Sequence, residues 1–291
     1  MKFEDRSREY RDYVADYLKQ WYVRFHDEPQ NKLFEAMEYS LLASGKRLRP
    51  IFAFDICRMC GGQWQTAAPF AAAVEMIHTY SLIHDDLPCM DNDDFRRGRP
   101  TNHKVFGETM AVLAGDALLT DAFAVASTAQ IPQPQDLAFA INVLSECAGS
   151  LGMVGGQVLD ILSEERACTE EEILNIQSRK TGALINAACV LGVIAGGGTE
   201  EQIEGAASFA GALGLAFQIR DDMLDVIGTK EEMGKGVGTD ETKNTFVRLH
   251  GIDKCEALVQ KYTQVAIHAL DVFEDTAYMI ELAKSLTDRR I

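Results

Sequence analysis

Five aspartates lie within ten residues of one another in the segment between Tyr80 and Gly107. They are Asp85, Asp86, Asp91, Asp93 and Asp94. Two like charges about 4 Å apart repel by roughly 4 kcal/mol at an effective dielectric constant near 20, so such a cluster calls for a shared cation. Oxygen ligands alone suit a hard cation such as Mg²⁺, which keeps several waters and bridges to substrate phosphate. The alternative is a solvated acidic loop, because short motifs also occur by chance.

The sequence around this cluster indicates where the cluster lies in the fold. The segment before Asp85 is apolar with a helical pattern, and Pro88 disfavours helical geometry at Leu87. We therefore expect Asp85 and Asp86 to close a core helix and Asp91 to return from the turn that follows.

A second acidic group, Asp221, Asp222 and Asp225, lies in the apolar run GLAFQIRDDMLDVIG. Asp221 and Asp225 are four residues apart and therefore share one face of a helix. Otherwise buried helices rarely carry three carboxylates without a task. Two Asp-rich helix ends that face each other could hold several Mg²⁺ ions against one diphosphate. An EF-hand fits poorly, because the segment from Asp91 lacks the glycine at loop position six and the glutamate at position twelve.

Several basic residues recur at the ends of predicted helices rather than along helix faces. They are Lys46, Arg49, Arg96, Arg97, Lys180, Lys235 and Lys243. Any one of them alone is best explained as a solvated surface charge. A guanidinium donates hydrogen bonds in pairs and so suits phosphate. Bound metals and a few focused cations would make a site locally positive although the chain carries a net charge of −16.

Composition restricts the class of protein. The net charge of the 291 residues argues against nucleic acid as a partner, which needs a basic face. Seven cysteines, an odd number, indicate reduced thiols in a cytoplasmic protein, and the CxxC of Cys57 and Cys60 is a weak zinc or redox signal. The charged N-terminus lacks a signal-peptide pattern and no run of eighteen apolar residues occurs, so we expect no stable membrane anchoring.

The hydrophobic pattern predicts helices and no strand of useful length. We expect one helix from about Asp136 through LGMVGGQVLD and another that starts at the capping box Thr169–Glu172 and carries Lys180. Thr66 is expected to cap the helix that ends in the first acidic cluster. The composition does not shift along the chain, so residues 1–291 are interpreted as one all-α domain.

These motifs resemble those of the trans-isoprenyl diphosphate synthases, most closely the bacterial farnesyl diphosphate synthases. The resemblance runs from about Leu33 to about Leu249, and it includes DDLPCMDNDDFRRG with four residues between Asp86 and Asp91. It implies the isoprenoid synthase fold, in which antiparallel helices surround a central substrate cavity. It also implies a homodimer and about three Mg²⁺ ions per active site, held by the six aspartates of the two motifs.

The resemblance also assigns roles to individual residues. Isopentenyl diphosphate is expected at Lys46, Arg49, His78 and Arg97. The allylic diphosphate is expected at Arg96, Lys180, Lys235 and Lys243, although the family usually has serine and tyrosine after the last lysine, where this chain has Asn244, Thr245 and Phe246. Dipoles near the allylic cation are expected from the Lys180 carbonyl, Thr181 and Gln218. His84 is expected to be structural.

The implied activity is the head-to-tail condensation of isopentenyl diphosphate with dimethylallyl and geranyl diphosphates to give farnesyl diphosphate. Tyr80, five residues before Asp85, is expected to close the pocket at the C15 product, whereas the neighbouring Ser81 is too small to do so. The first alternative is a geranylgeranyl diphosphate synthase. A terpene cyclase would need no second diphosphate site, and a non-catalytic subunit of a heteromeric synthase would be expected to have lost an Asp-rich motif.

Overall fold

The computed structural model describes residues 2–164, 166–227 and 244–288. Their α-helices are α1 Phe3–Val23, α2 Asn31–Leu41, α3 Leu48–Met59, α4 Ala68–Asp85, α5 Asn102–Phe106, α6 Glu108–Ala126, α7 Leu137–Ala148, α8 Met153–Ser163, α9 Glu170–Gln177, α10 Ala183–Gly196, α11 Glu200–Ile227, α12 Phe246–His250, α13 Ile252–Ala269 and α14 Ala277–Thr287. Shorter turns of 3₁₀ helix span Trp64–Ala67, Pro134–Asp136 and Leu270–Val272, and Ser178–Gly182 form a π-helical turn. Two-residue strands, β1 Phe95–Arg96 and β2 Arg99–Pro100, pair as an antiparallel hairpin.

The central helices α4 and α10 are apolar on nearly every face, which is the pattern of a helix buried inside a domain. Helix α4 packs against α6, and α10 packs against α3 and α11. The same apolar core takes Tyr10 from α1 and Met279 from α14, so the first and last helices cover the centre. The helices therefore enclose α4 and hold its acidic C-terminal end in place.

Two predicted helices are each divided into shorter elements. The helix expected from Asp136 through Asp160 is interrupted between α7 and α8. A Cβ on Gly152 would lie 2.1 Å from the carbonyl oxygen of Cys147, so the chain folds back there more tightly than a side chain permits. The helix expected to continue from Thr169 past Lys180 instead widens into the π-helical turn before α10 starts.

Helix starts are predicted well only where a capping side chain bonds to the backbone. The Thr169–Glu172 capping box is present, and Thr199 and Gln202 exchange the corresponding bonds. The expectation for Thr66 is wrong, because this residue lies in the 3₁₀ turn Trp64–Ala67 and α4 begins without a side-chain cap. Burial of α4 in the core stabilises its start without that hydrogen bond.

Two segments, Glu108–Ala126 and Pro134–Ser163, are apolar and long enough to cross a membrane by length and composition alone. The sequence has no uninterrupted run of eighteen apolar residues, but a window of high mean hydropathy tolerates a few polar residues. In the first segment, α6, the side chains buried in the protein core include Ala111, Ala114 and Leu118. The second is broken between α7 and α8 and so is not one continuous helix.

Candidate active site

The first acidic cluster forms where α4 ends. The backbone N–H of Asp91 donates to the carbonyl oxygen of Asp85 at 2.8 Å, so the turn brings Asp91 back beside the helix end. Burial raises the pKa of Asp85 to about 6, and the nearby Asp91 and Asp86 add to the increase, whereas Lys180 opposes it. This balance describes carboxylates that repel one another and that an additional cation would stabilise.

A basic hairpin follows the acidic turn. Its two central residues, Arg97 and Gly98, have φ values of 54° and 73°, the left-handed geometry of a tight hairpin turn. The Arg96 guanidinium reaches the buried carboxylate of Asp86 at 2.6 Å. The Arg97 guanidinium points elsewhere and donates to the carbonyl oxygen of Ser44 at 3.1 Å. The neighbouring residues Arg96 and Arg97 therefore point into two different parts of the site.

Arg97 lines a cavity of about 410 Å³ between the loop that follows α2, helices α3 and α4, and the hairpin, here called the basic cavity. It gathers the four residues expected to bind isopentenyl diphosphate. Its lining residues are Ser44, Gly45, Lys46, Arg47, Leu48, Arg49, Glu75, His78 and Arg97. A Cβ on Gly45 would lie 2.7 Å from Nη1 of Arg97, so the glycine makes room for that guanidinium.

Burial and like charge shape the electrostatics of the basic cavity. Burial lowers the pKa of Arg49, while Glu75 opposes the decrease. Burial first, and then Arg49 and Arg97, hold the pKa of His78 well below its usual range. His78 is therefore neutral at physiological pH and can donate a hydrogen bond without adding positive charge.

Lys180 and Thr181 lie on the π-helical turn between α9 and α10. The Lys180 ammonium donates to Oδ2 of Asp160 on α8 at 2.5 Å. A Cβ on Gly156 would lie 2.2 Å from the Lys180 backbone nitrogen, so α8 contacts this turn backbone to backbone. Thr181 Oγ1 donates to Gln218 Oε1 at 3.4 Å, which brings together the two side chains expected to face the allylic cation.

The second acidic group lies on α11. Asp222 is buried and accepts from Gln218 Nε2 at 3.0 Å and from the Phe246 backbone N–H at 3.2 Å. Asp221 and Asp225 share a face of the helix and are half-buried. A chain of neighbours therefore connects the two acidic groups: Asp85 lies near Lys180, Thr181 bonds to Gln218, and Gln218 bonds to Asp222.

The donor chemistry of these aspartates fits a hard divalent cation, because every candidate ligand is a carboxylate oxygen. Within the described ranges no three such side chains already form a metal cage. Lys235 and Lys243, expected at the allylic diphosphate, lie outside the described residues.

Tyr80 and Ser81 occupy different surroundings on α4. Tyr80 is buried, and its ring lies edge-on to His84 with the ring centroids 5.7 Å apart. Ser81 is half-buried, and its hydroxyl donates back to the His78 carbonyl oxygen at 2.9 Å. Nε2 of His84 lies 3.0 Å from the carbonyl oxygen of Val112 on α6, which agrees with a structural role for this histidine.

Three further residues at the site were not singled out from the sequence. Asp160 pairs with Lys180, and Arg47 pairs with the buried Glu75 beside the basic cavity. Asp160 and Glu75 share a signal that would have found them, a lone acid inside an otherwise apolar helix. Arg47 carries no such signal, because a third basic residue in GKRLRP is easily interpreted as surface charge.

Known proteins are similar to this chain in both sequence and architecture. The family model described as polyprenyl synthetase matches residues 30–280. The chain belongs to the polyprenyl synthetase family. It is 46% identical over 269 residues to a protein of Arabidopsis thaliana named heterodimeric geranylgeranyl pyrophosphate synthase large subunit 1, chloroplastic, covering 89% of this chain and 72% of the relative. It is also 47% identical over 264 residues to a dimethylallyltranstransferase of Fischerella ambigua, and the match covers 89% of this chain and 76% of that relative.

A solved structure of a similar protein has the same fold. The crystal structure of an FPP/GFPP synthase from Zymomonas mobilis has a TM-score of 0.86 and 34% identity, covering 98% of this chain and 100% of that one. The chain is therefore a prenyltransferase with the all-α isoprenoid synthase fold. This confirms the family, the fold class and the class of activity expected from the sequence.

Proposed function

We propose that this prenyltransferase condenses isopentenyl diphosphate with allylic diphosphates, head to tail, and releases geranylgeranyl diphosphate. The observation that carries the proposal is the basic cavity beside the first acidic cluster. It provides a second place for a diphosphate, which a terpene cyclase would not need. Both Asp-rich motifs are intact, which argues against a non-catalytic subunit.

The division of basic residues supports one role for each subsite. Lys46, Arg49, Arg97 and neutral His78 would hold isopentenyl diphosphate in the basic cavity. Arg96 and Lys180, each beside an aspartate, would hold the allylic diphosphate together with Lys235 and Lys243. Because Arg96 and Arg97 are consecutive in one hairpin, the two diphosphates would be bound at a fixed separation, and such orientation accelerates a reaction between two substrates.

Mg²⁺ would be held by Asp85, Asp86, Asp91, Asp221, Asp222 and Asp225, and we propose about three ions per active site. When bound, the metal neutralises the departing diphosphate and so favours ionisation of the allylic C–O bond. Asp86 accepts from Arg96 and Asp222 accepts from the Phe246 backbone N–H, so we expect these contacts to orient both carboxylates. The Lys180 carbonyl, Thr181 and Gln218 would present oxygen dipoles to the allylic cation.

The product length has two candidates. The Arabidopsis relative carries a geranylgeranyl name, which favours C20. Tyr80 favours the C15 product, farnesyl diphosphate, because a buried aromatic ring on the helix that ends at Asp85 would block a longer chain. The name of the Zymomonas protein, an FPP/GFPP synthase, includes a C15 product.

The deciding experiment is product analysis after purified protein is mixed with Mg²⁺, dimethylallyl diphosphate and labelled isopentenyl diphosphate. Dephosphorylated products are separated by chain length. Geranylgeraniol as the main product supports the C20 proposal and removes Tyr80 as the floor of the pocket. Farnesol as the main product supports the C15 candidate. A cyclic hydrocarbon made without isopentenyl diphosphate would contradict both.

We also propose a homodimer, a single domain over residues 1–291 and a cytoplasmic location. The support for the dimer is that α6 and α8 each leave large apolar side chains exposed, among them Leu113, Val158 and Leu162. Exposed apolar surface of this kind is typical of an interaction site. Light scattering with size-exclusion chromatography tests the dimer, and a mass of one chain would contradict it.

A further inference from the structure

The Arg47 guanidinium connects three elements at the rear of the basic cavity. Arg47 is only 7% exposed and has a left-handed backbone, with φ at 50°. Its Nη2 donates to the carbonyl oxygens of Leu41 at 2.6 Å and Ala43 at 2.7 Å, at and beyond the C-terminal end of α2. Its Nη1 donates to Oε1 of Glu75 on α4. One side chain therefore ties the end of α2 and the start of α3 to the middle of α4.

Glu75 is the counter-charge of this pair. It is 2% exposed, and among the described residues that line the basic cavity it is the only acid. The other charged residues of the lining are Lys46, Arg47, Arg49 and Arg97. Nε of Arg49 is buried and has no hydrogen-bond partner within the described part of the chain. Removal of Glu75 would leave these cations with no opposing charge in the cavity wall.

The pair is adjacent to the binding residues on both sides. Arg47 lies between Lys46 and Arg49 in the sequence, so its anchoring sets the direction in which both side chains leave the loop. Glu75 precedes His78 by three residues on α4, nearly one helical turn, so it faces the same side of that helix. Displacement of the pair would therefore move the diphosphate-binding groups without removing any of them.

We propose that Arg47 and Glu75 are positioning residues that hold the basic cavity in its binding shape. The inference rests on the proposed function, because it takes the basic cavity as the isopentenyl diphosphate subsite. The pair acts through Lys46, Arg49 and His78 rather than on the allylic substrate, since Arg96 and Lys180 do not line the basic cavity. Its loss therefore affects the two substrates unequally.

The test is steady-state kinetics of Glu75→Gln, with each substrate varied in turn. Glutamine keeps the shape of the side chain and removes its charge. The variant should raise KM for isopentenyl diphosphate by about tenfold and change KM for the allylic substrate by less than about threefold. Glu75→Asp restores the charge on a shorter side chain and should recover part of the loss.

Asp55→Asn is the matched control, since Arg6 and Asp55 form another buried arginine–carboxylate pair outside the basic cavity. It should leave both KM values unchanged, whatever its effect on thermal stability. An unchanged KM for isopentenyl diphosphate in Glu75→Gln overturns the inference, and so does an equal rise for both substrates.

If Glu75→Gln does not fold, Arg47→Lys takes its place as the test. One ammonium cannot reach all three acceptors of the Arg47 guanidinium, so this variant should raise KM for isopentenyl diphosphate in the same way. An unchanged KM for isopentenyl diphosphate in that variant also overturns the inference. A wild type that never incorporates isopentenyl diphosphate would instead refute the proposed function.

Discussion

Tyr80 is the residue expected to set the length of the product. It lies five residues before Asp85 on α4, about 7.5 Å along the helix axis at 1.5 Å per residue. If its ring forms the floor of the pocket, Tyr80→Ala should lengthen the main product by at least one C5 unit while preserving condensation. Chain-length analysis of the dephosphorylated products measures this. Ser81→Ala is the control and should leave the product unchanged, and an unchanged product in Tyr80→Ala would remove this role.

The residue types at the site could be predicted from the sequence, whereas their partners could not. Clustered aspartates and GKRLRP identify the diphosphate chemistry, because few other functions gather such charges. Nothing in the sequence indicates that Asp86 forms an ion pair with Arg96, or that Glu75 forms one with Arg47. These pairings depend on how the start of α3 and the hairpin pack against α4, which local sequence patterns do not show.

The π-helical turn Ser178–Gly182 is the element most sensitive to its neighbour. Because a Cβ on Gly156 would lie 2.2 Å from the Lys180 backbone nitrogen, the contact cannot be relieved by rotating a side chain. Gly156→Ala should therefore lower the free energy of unfolding by about 1–3 kcal/mol, the usual cost of overpacking, and displace Lys180. Denaturant melts and turnover rates measure the two effects.

Gly182→Ala is the matched control on the same turn. A Cβ there would meet only the Gln177 carbonyl oxygen, at 3.6 Å, an ordinary contact. We expect its stability to stay close to that of the wild type. Wild-type stability and turnover in Gly156→Ala would show that α8 does not press against the turn.

Element boundaries at this site were less predictable than the helices themselves. The apolar periodicity of LGMVGGQVLD continues through the break between α7 and α8, because the break depends on Gly152 passing close to Cys147. The π-helical turn inserts into a periodic stretch for a similar reason, since the bulge depends on packing against α8 and α11. Local patterns therefore predict which segments are helical, and tertiary contacts decide where these helices are interrupted.

At the scale of the whole molecule, Asp55 joins α1 to α3. It is fully buried and accepts from Arg6 at 3.1 Å and Tyr10 at 2.9 Å. Burial raises its pKa to about 6, although Tyr10 and Arg6 oppose the increase. The unfolded value is about 3.9, so between these values the folded state binds the proton more tightly. The contribution of Asp55 to stability is therefore largest at low pH and decreases as pH rises from about 4 to 6.

Urea melts of wild type and Asp55→Asn across this pH range test the effect. The difference in the free energy of unfolding, wild type minus variant, should fall by about 2 kcal/mol between pH 4 and pH 7, which is most of the roughly 3 kcal/mol that a two-unit difference in pKa represents. The variant serves as the reference that removes the titration of all other groups. A difference that stays constant with pH would show that Asp55 titrates at the same pH in both states.

The central claim is that two acidic helix ends and a basic cavity together carry out metal-dependent prenyl transfer. The most direct measurement is the rate at which labelled isopentenyl diphosphate enters a longer prenyl diphosphate, with Mg²⁺ and with excess chelator, in wild type and Asp221→Ala. We predict incorporation only with Mg²⁺, and a decrease in kcat by orders of magnitude in a folded Asp221→Ala, because the carboxylates and diphosphates otherwise repel. An undiminished rate in excess chelator would contradict the account.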